Sequence, residues 1–412
     1  MSQSVFTPLT LPNGITLPNR LAKAAMEENM AVTGHLPGED IFRLYKTWSN
    51  GGTGLLITGN VMVDHRAMTG PGGIALEEQT ELEPFKKWAK SAQENNTHVW
   101  MQINHPGRQV YAAMGGKVLS PSGVALDMGK HSHLFGQPSP MTEEEIQELI
   151  KRFAITASKA VEAGFNGVQI HAAHGYLLSQ FLSPLTNQRT DQWGGSLSNR
   201  ARLLYDVVKA VQNAVPKDTA IAVKLNSADF QRGGFDSEDA LDVVQKLEAL
   251  KIDLVELSGG SYESPAMQGN THDGRSLARE AYFLSFAKDI AKQASMPIMT
   301  TGGITRLAVA QQVIDEGVDM VGLGRALAFS PDLPNLWKTL PESQAVLPSI
   351  NWKNKTVASV ATMAITKRQL QRMGNGRHPK LNSSALLSLI LDQVRLKKLT
   401  KKYRSRYTAE QA

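Results

Sequence analysis

The sequence predicts an α/β protein, a (β/α)8 TIM barrel with a loop insertion after its third strand and a helical C-terminal extension. Eight short apolar runs alternate with amphipathic stretches over roughly 330 residues, which is the element order of such a barrel. Several of the runs are almost continuously apolar, as parallel strands buried on both faces are. The chain has 412 residues, 42% hydrophobic and 20% charged, so it is long enough for one large barrel.

The predicted strands are short runs rich in aliphatic residues. In order, they are Arg20–Ala25, Gly54–Val61, His98–Asn104, Gly167–Ala172, Ala220–Asn226, Asp253–Ser258, Pro297–Thr301 and Asp319–Leu323. Amphipathic patterns between the strands predict helices, typically over Glu81–Glu94 and Leu277–Gln293.

Two further helices are predicted from the residues at which they begin. Thr142 and Glu145 have the spacing of a capping box, which opens a helix that runs to Ala163. Asp236 or Ser237 caps a helix that extends to residue 250.

The longest insertion, residues 106–140, is rich in glycine, proline and serine. A loop of this length inside a compact domain is usually functional, and we expect it to form a cap or lid near the active face. Its histidines, His131 and His133, are expected at the surface rather than as ligands.

Composition narrows the possible classes of protein. There is no cysteine, which removes disulfides, iron–sulfur clusters, thiolate metal sites and cysteine nucleophiles together. No apolar run reaches the ~18 residues of a membrane helix, and the N-terminal segment lacks the charged and apolar regions of a signal peptide. These features predict a cytoplasmic enzyme.

The net charge of +6 is unevenly distributed. From residue 351 onward, 14 Lys and Arg oppose two acidic residues, so the tail carries +12 and the preceding 350 residues carry −6. We expect residues 1–345 to form the catalytic barrel and residues 346–412 a basic extension. Two helices are predicted there. The first is a basic helix that begins at Lys367 and is ended by Gly374 and Gly376. The second is Ala385–Leu399, with an apolar stripe of Leu386, Leu389, Ile390 and Val394.

The apolar stripe predicts that this second helix docks on the barrel or on a second subunit. A basic amphipathic helix also suits an anionic membrane surface or an acidic partner. Charge alone would allow nucleic-acid binding, but no known module accompanies it, so no nucleic acid is expected.

The fourth predicted strand ends in a group of side chains suited to catalysis. His171, His174 and Tyr176 follow it within six residues, and the carboxyl ends of parallel strands are where α/β proteins place their chemistry. Imidazoles can donate hydrogen bonds to a carbonyl oxygen, and a phenol, protonated at neutral pH, can give up a proton. The group therefore suits a reaction that polarises a carbonyl and protonates a neighbouring carbon.

Two other interpretations of the histidines stay open at this point. A His-x-x-His pair can bind metal, but zinc needs further ligands, and no Glu follows His171 as in the metalloprotease motif. The histidines could also be structural residues at a strand end. We predict no metal site.

The last two strands are followed by glycine-rich segments. Gly302 and Gly303 follow the seventh strand, and Gly324 and Arg325 follow the eighth. In barrels these two loops commonly bind phosphate through backbone N–H groups, and Arg325 would add a charge-assisted contact. Glycine pairs also occur in ordinary turns, but their occurrence in both positions predicts a phosphate site.

Five segments resemble the old yellow enzyme family, the FMN-dependent ene-reductases also called NADH:flavin oxidoreductases. They occur in order within a match that runs from about residue 5 to residue 340, and the tail lies outside it. The segments are Asn19–Met26, Trp100–Arg108, Ile170–Leu178, Gln180–Pro184 and Asn187–Arg200.

The resemblance implies an enzyme that takes hydride from NADH or NADPH through FMN and reduces the activated C=C bond of an α,β-unsaturated carbonyl. It assigns the substrate carbonyl to His171 and His174 and proton donation to Tyr176. It implies that the phosphate of FMN is bound by Gly302, Gly303, Gly324 and Arg325. The residues that it places around the flavin ring are Ala24, Ala25, Met26, Gly59, Gln102 and Lys224.

Lys224 and Glu27 depart from the family pattern. Lys224 stands where relatives usually carry Arg, and it can supply a charge but no bidentate fork. Glu27 replaces a Thr or Cys, and an ionised Glu cannot donate a hydrogen bond. Either Glu27 is protonated by burial, or it turns toward a basic partner, or it helps bind a different substrate.

Structural interpretations and other functions stay open as well. Lys224 could belong to a buried ion pair, and Gln102 could be a satisfied core amide. A flavin-free barrel acting on a phosphorylated substrate is one alternative function, and a flavin-binding regulator tethered through its basic tail is another.

Overall fold

A computed structural model describes residues 4–266 and 280–411. Its strands are β1 (Leu9–Thr10), β2 (Thr16–Leu17), β3 (Leu21–Lys23), β4 (Leu55–Ile57), β5 (Val61–Met62), β6 (Ile74–Ala75), β7 (His98–Asn104), β8 (Val118–Ser120), β9 (Pro138–Pro140), β10 (Gly167–Ala172), β11 (Ala220–Asn226), β12 (Leu254–Ser258), β13 (Ile298–Thr300) and β14 (Met320–Leu323).

The helices lie mainly between these strands. They are α1 (Glu39–Asn50), α2 (Glu83–Ala92), α3 (Glu143–Glu162), α4 (Leu177–Leu182), α5 (Leu197–Arg200), α6 (Arg202–Ala214), α7 (Ser237–Ala249), α8 (Leu284–Ala291), α9 (Leu307–Asp315), α10 (Arg325–Phe329), α11 (Leu333–Thr339), α12 (Lys355–Gly374) and α13 (Ala385–Gln411).

Eight parallel strands close into a barrel, as the sequence predicted. Their order around the ring is β3, β4, β7, β10, β11, β12, β13 and β14, and β14 pairs again with β3. Strands β7, β10 and β11 begin and end at the predicted residues. The pairing β10–β7 closes the ring between the third and fourth strands. All strands therefore present their carboxyl ends on one face.

The predicted strand Gly54–Val61 is wrong as a single element, because the structure divides it into β4 and β5. At the break, Thr58 donates its amide to Trp100 and accepts the amide of Gln102, at 3.0 and 2.9 Å. The amide of Gly59 turns instead toward Glu28. The ladder is thus interrupted at the catalytic face, where the chain leaves the barrel wall.

An N-terminal hairpin closes the opposite end of the barrel. β1 and β2 pair antiparallel, and their Leu9 and Leu17 pack with inward-facing Ala22, Leu55 and Trp100 in one buried cluster. A second apolar layer lies between the strands and the surrounding helices. The hairpin end of the barrel interior is therefore filled with apolar side chains.

The predicted helix signals are confirmed. Thr142 and Glu145 form both hydrogen bonds of the capping box at the start of α3. Asp236, rather than Ser237, caps α7, and its carboxylate accepts two backbone amides. For the predicted helix Leu277–Gln293, residues 277–279 lie outside the described part of the chain, and the described helix is α8.

The predicted lid segment is tied to the catalytic face. It carries β8, β9 and two short 3-10 helices, Ala112–Met114 and Gly129–Leu134. Arg108 forms a buried ion pair with Glu263 at 2.6 Å, which joins the lid to the loop after β12. His131 and His133 lie in the second 3-10 helix, where His131 is half-buried and His133 is exposed, as predicted for a surface residue.

The tail forms two helices that are longer than predicted, α12 and α13. α12 packs against α1 and α13. α13 reaches the barrel through Arg395, which donates to Asn29 O, and through the buried Tyr403, which donates to His65 O. Three of the four residues of the predicted apolar stripe, Leu386, Ile390 and Val394, are 50–64% exposed, and the fourth, Leu389, is half-buried. Among residues 4–266 and 280–411, no helix has the length and apolar content needed to cross a bilayer.

Candidate active site

A chain of polar side chains crosses the barrel interior near its carboxyl-end face. Gln102 donates to Gln169 at 2.7 Å, and Gln169 donates to Glu256 at 2.8 Å. Lys224 Nζ lies 2.8 Å from Glu256 Oε1, and both side chains are at most 4% exposed. Lys224 is therefore held by a buried ion pair, and Gln102 is one end of a satisfied amide network.

His171 faces inward from the end of β10, beside Lys224 of β11. Burial holds the pKa of His171 well below its usual value, and His174 and Lys224 lower it further. Its Nδ1 accepts the amide of Ala173 at 3.2 Å. The ring is thus neutral with its proton on Nε2, which leaves Nε2–H as a donor.

His174 lies beside His171, with the ring centroids 5.0 Å apart. Burial also holds its pKa well below the usual value, and its Nε2 is 2.7 Å from Ser258 Oγ. Its φ is +61°, a rare conformation for histidine. Asn226 accepts its amide and Gln109 donates to its carbonyl, both at 3.0 Å, so the turn is fixed from two sides.

Tyr176 completes the predicted group. Its ring centroid is 4.9 Å from that of His171, and its hydroxyl is 3.3 Å from that of Tyr262. Burial raises the pKa of Tyr176, the charge of Glu27 raises it further, and hydrogen bonds from Tyr262 and Asn60 lower it. The phenol is protonated at neutral pH and has polar neighbours for the oxygen once the proton has gone.

Glu27 also reaches this part of the site. Its Oε1 accepts a hydrogen bond from Thr69 at 2.7 Å, and the side chain is half-buried. The charge of Glu27 contributes to a raised pKa at Tyr111, Tyr176 and Tyr262. Glu27 therefore acts electrostatically on three tyrosines, and within the described part of the chain it forms no ion pair.

The neighbouring Glu28 belongs to a buried cluster that the sequence analysis missed. It accepts from Tyr45 at 2.5 Å and lies 3.6 Å from Lys23 Nζ. Burial lowers the pKa of Lys23 to about 8, although Glu28 acts to raise it. Gly59 donates its amide to the same Glu28, and a Cβ at Gly59 would collide with that carboxylate. The absence of a side chain at Gly59 is thus explained by Glu28.

The predicted phosphate residues come together at the ends of β13 and β14. Gly302 and Gly303 have φ of +130° and +71°, and Tyr282 packs directly against both. Gly324 precedes α10, and a Cβ there would meet nothing within 4 Å. Within the described ranges, the amides of these glycines donate no hydrogen bond and the half-buried Arg325 guanidinium has no acidic partner.

These observations fit FMN. Unused backbone amides beside a free guanidinium match the needs of a phosphate group. Ala25 and Met26 are partly open at the end of β3, whereas Ala24 is buried and donates its amide to Leu323. Both side-chain polar atoms of Asn104, fully buried at the end of β7, lack partners within the described part of the chain. A buried amide in that state suits a polar heterocycle.

A second acidic cluster lies beneath the docked tail helix. Asp64, His65 and Glu77 have ligand atoms within 4.8 Å of one another. Arg66 lies 2.7 Å from Asp64, and Arg152 lies 3.1 Å from Glu77. The carboxylates are thus neutralised by arginines, an arrangement that gives no support for a metal ion.

The remaining site residues that the sequence analysis missed are Tyr262, Tyr111, Asn60, Thr69 and Glu256. Glu256 had a usable signal, because a charged residue inside an apolar strand needs a buried partner. Tyr262 follows the end of the sixth barrel strand by a few residues, in the position that made Tyr176 notable. The other three lie in loops, where no periodicity points to them.

Comparisons with known proteins agree with this architecture. The model of the NADH:flavin oxidoreductase / NADH oxidase family matches residues 4–341. The NADH-dependent flavin oxidoreductase iliE of Hypocrea jecorina (strain QM6a) is 37% identical over 352 residues, covering 79% of this chain and 87% of its own length. Its counterpart in Neonectria sp. (strain DH2) is 35% identical over 382 residues, covering 87% of this chain. The chain spans only 50% of that relative's length.

A solved structure gives the same result at the level of the fold. An old yellow enzyme homologue from Zymomonas mobilis superposes with a TM-score of 0.71 and 26% identity. The superposition covers 84% of this chain and 95% of the other.

Proposed function

The chain belongs to the NADH:flavin oxidoreductase / NADH oxidase family, and on this premise we propose that it is an FMN-dependent ene-reductase acting on α,β-unsaturated carbonyl compounds. The observation that carries the proposal is the pairing of a neutral His171 with a protonated Tyr176, with ring centroids 4.9 Å apart at the strand ends. One group can polarise a carbonyl while the other protonates a carbon two bonds away.

His171 binds the substrate carbonyl oxygen through its Nε2–H. A neutral donor suits this role, because a fixed imidazole polarises the carbonyl without transferring its proton. His174 assists from the adjacent turn. Since its Nε2 is engaged by Ser258, it either contributes through its other nitrogen or exchanges Ser258 for the substrate.

Tyr176 is the proton donor to the α-carbon. Its raised pKa keeps the proton in place until charge develops on the substrate. Tyr262, 3.3 Å away, can then donate to the phenolic oxygen and stabilise it. Tyr176 is buried and Tyr262 is half-buried, which limits competing proton transfer from water.

FMN, when bound, supplies the hydride chemistry between NADH or NADPH and the alkene. The residues proposed to hold its ring are Ala24, Ala25, Met26, Gly59, Gln102 and Lys224, and those for its phosphate are Gly302, Gly303, Gly324 and Arg325. Arg325 supports this assignment because its guanidinium has no other acidic partner in the described ranges. Lys224 would offer a charge that is already compensated by Glu256.

The remaining proposals concern organisation. We propose that residues 1–345 form the catalytic unit and that residues 346–412 form an extension docked on it through α13. We also propose a cytoplasmic location, which the composition supports. The substrates are small molecules, and no role for the tail in contacts with membranes or partner proteins is needed to explain its docked position.

The test compares Tyr176→Phe with the matched variant Tyr262→Phe, in single-turnover experiments on the FMN-loaded enzyme. General acid catalysis contributes about 10²- to 10⁴-fold. Tyr176→Phe should therefore slow reoxidation by cyclohexenone by at least about 10², with reduction by NADH changed only a few-fold. Tyr262→Phe should have a much smaller effect. An unchanged rate of reoxidation in Tyr176→Phe would show that another group donates the proton.

A further inference from the structure

The candidate site contains a carboxylate, Glu27, that forms no ion pair with any basic group in the described part of the chain. Thr69 supplies its hydrogen bond. Three basic groups that are buried or half-buried have partners other than Glu27: Lys23 pairs with Glu28, Lys224 pairs with Glu256, and Arg395 donates to Asn29 O through one of its two terminal nitrogens.

A cluster of aromatic rings, the aromatic wall, lies within electrostatic reach of this carboxylate. Tyr111 stacks on Phe135 with ring centroids 5.0 Å apart, and Phe135 and Tyr176 each lie 6.1 Å from Tyr262. Glu27 acts electrostatically on all three tyrosines of the wall. The wall is rigidly held, because Gln109 accepts the amide of Tyr262 at 3.2 Å.

These two features together define the chemistry of a ligand. A partly desolvated carboxylate without a cation is unfavourable, and proteins normally pair such a group. Faces of tyrosine rings attract a cation, and aromatic cages with a nearby carboxylate recognise alkylammonium groups. Asp392 of α13 also acts on Tyr111, but it has Arg395 on the next turn of its own helix. No basic side chain among residues 4–266 and 280–411 forms an ion pair with Glu27.

We propose that the substrate carries a protonated amine, which is held between the Glu27 carboxylate and the tyrosine wall while His171 binds the carbonyl. This inference rests on the proposed ene-reductase function. It names the substrate class of that site, a cationic enone rather than a neutral one. The departure of Glu27 from the family pattern then has a cause, because its charge selects the substrate.

The test uses two enones of the same shape. One cyclohexenone carries a dimethylaminomethyl arm, which is protonated at neutral pH, and the other carries an isobutyl arm. In the FMN-loaded wild type, kcat/KM should favour the amine by at least about tenfold, equivalent to ~1.4 kcal/mol. In Glu27→Gln the ratio should fall toward one. Taking the ratio within each variant cancels any effect of Glu27 on the flavin itself.

A binding measurement separates this inference from the proposed function. The saturated ketone with the dimethylaminomethyl arm cannot be reduced, and its binding shifts the absorption of the oxidised flavin. It should bind the wild type at least about tenfold more tightly than its isobutyl counterpart, and Glu27→Gln should remove the difference. If the binding preference is present in the wild type and absent in Glu27→Gln while neither enone is reduced, the proposed function fails and the preference for a cationic ligand stands.

The opposite result overturns the inference alone. If both enones are reduced with equal kcat/KM by the wild type, or if the preference survives in Glu27→Gln, then Glu27 does not select a cation. If Glu27→Gln fails to fold, the ratio of the two kcat/KM values in the wild type still shows whether the enzyme prefers the cationic enone. Thr69→Val then provides a second variant, because it removes the hydroxyl that orients Glu27 and should weaken the preference.

Discussion

Replacement of Glu256 by glutamine tests the polar chain that supports the active site. Glu256 is fully buried, with Lys224 on one carboxylate oxygen and Gln169 on the other. A glutamine can retain the contact with Gln169 through its carbonyl oxygen. Its amide NH₂ would then face the Lys224 ammonium, so a buried cation would lose its counter-charge and meet a donor.

The size of the effect follows from the geometry. Two unit charges 2.8 Å apart attract by about 6 kcal/mol at an effective dielectric constant of ~20. Part of this attraction only offsets the cost of removing both charges from water. Breaking a buried pair by removing one partner typically costs about 3–5 kcal/mol, and we expect Glu256→Gln to fall in that range.

The assay is urea unfolding at saturating FMN, with a double-mutant cycle as the control. The single variants Glu256→Gln and Lys224→Met are compared with the double variant. The double variant should be more stable than the sum of the two single effects by at least about 2 kcal/mol, because it leaves no uncompensated charge. A free energy of unfolding for Glu256→Gln within about 0.5 kcal/mol of wild type, or simple additivity, would refute the reasoning.

Three smaller predictions test other parts of the structure. Burial lowers the pKa of His105 to about 4, so its contribution to stability is complete above pH ~6.5 and is lost as the pH falls toward ~4, by about 1.4 kcal/mol per unit. His105→Gln should flatten that part of the curve of unfolding free energy against pH, and an unchanged slope would contradict the assignment. Gly59→Ala should cost about 1–3 kcal/mol by urea unfolding, because its Cβ collides with Glu28. An undiminished stability would show that Glu28 is not packed there. Tyr403→Phe removes the hydrogen bond to His65 O and should cost about 1 kcal/mol. Faster amide exchange along α13 should accompany it, and unchanged exchange would mean that the helix is not docked through Tyr403.

The barrel was predictable because its strands are buried on both faces, which leaves near-continuous apolar runs in the sequence. His171 and Tyr176 were noticed for a similar reason, since they lie five residues apart just after the end of such a run. Gly59 was predicted beside the flavin, but the physical reason for a glycine at that position was not visible in the sequence. That reason is the carboxylate of Glu28, 31 residues away in the chain.

Most of the contacts that could not be predicted from the sequence join residues that are far apart in the chain. The partner of Lys224 is 32 residues distant, and Tyr262 reaches Tyr176 across 86 residues. The tail shows a different limit of prediction from sequence, which concerns the docking face of a helix. A stripe of Leu386, Ile390 and Val394 predicted the buried face of α13, yet the helix docks by Arg395 and Tyr403. Periodicity identifies an apolar face but not the surface that it meets.

The most direct test of the central claim is an anaerobic absorbance titration of the purified protein. FMN should give a yellow protein, one equivalent of NADH or NADPH should bleach it, and one equivalent of cyclohexenone should restore the colour without oxygen. A protein that bleaches but regains its colour only with oxygen would contradict the ene-reductase account. A protein that binds no FMN under any condition would contradict the flavin site itself.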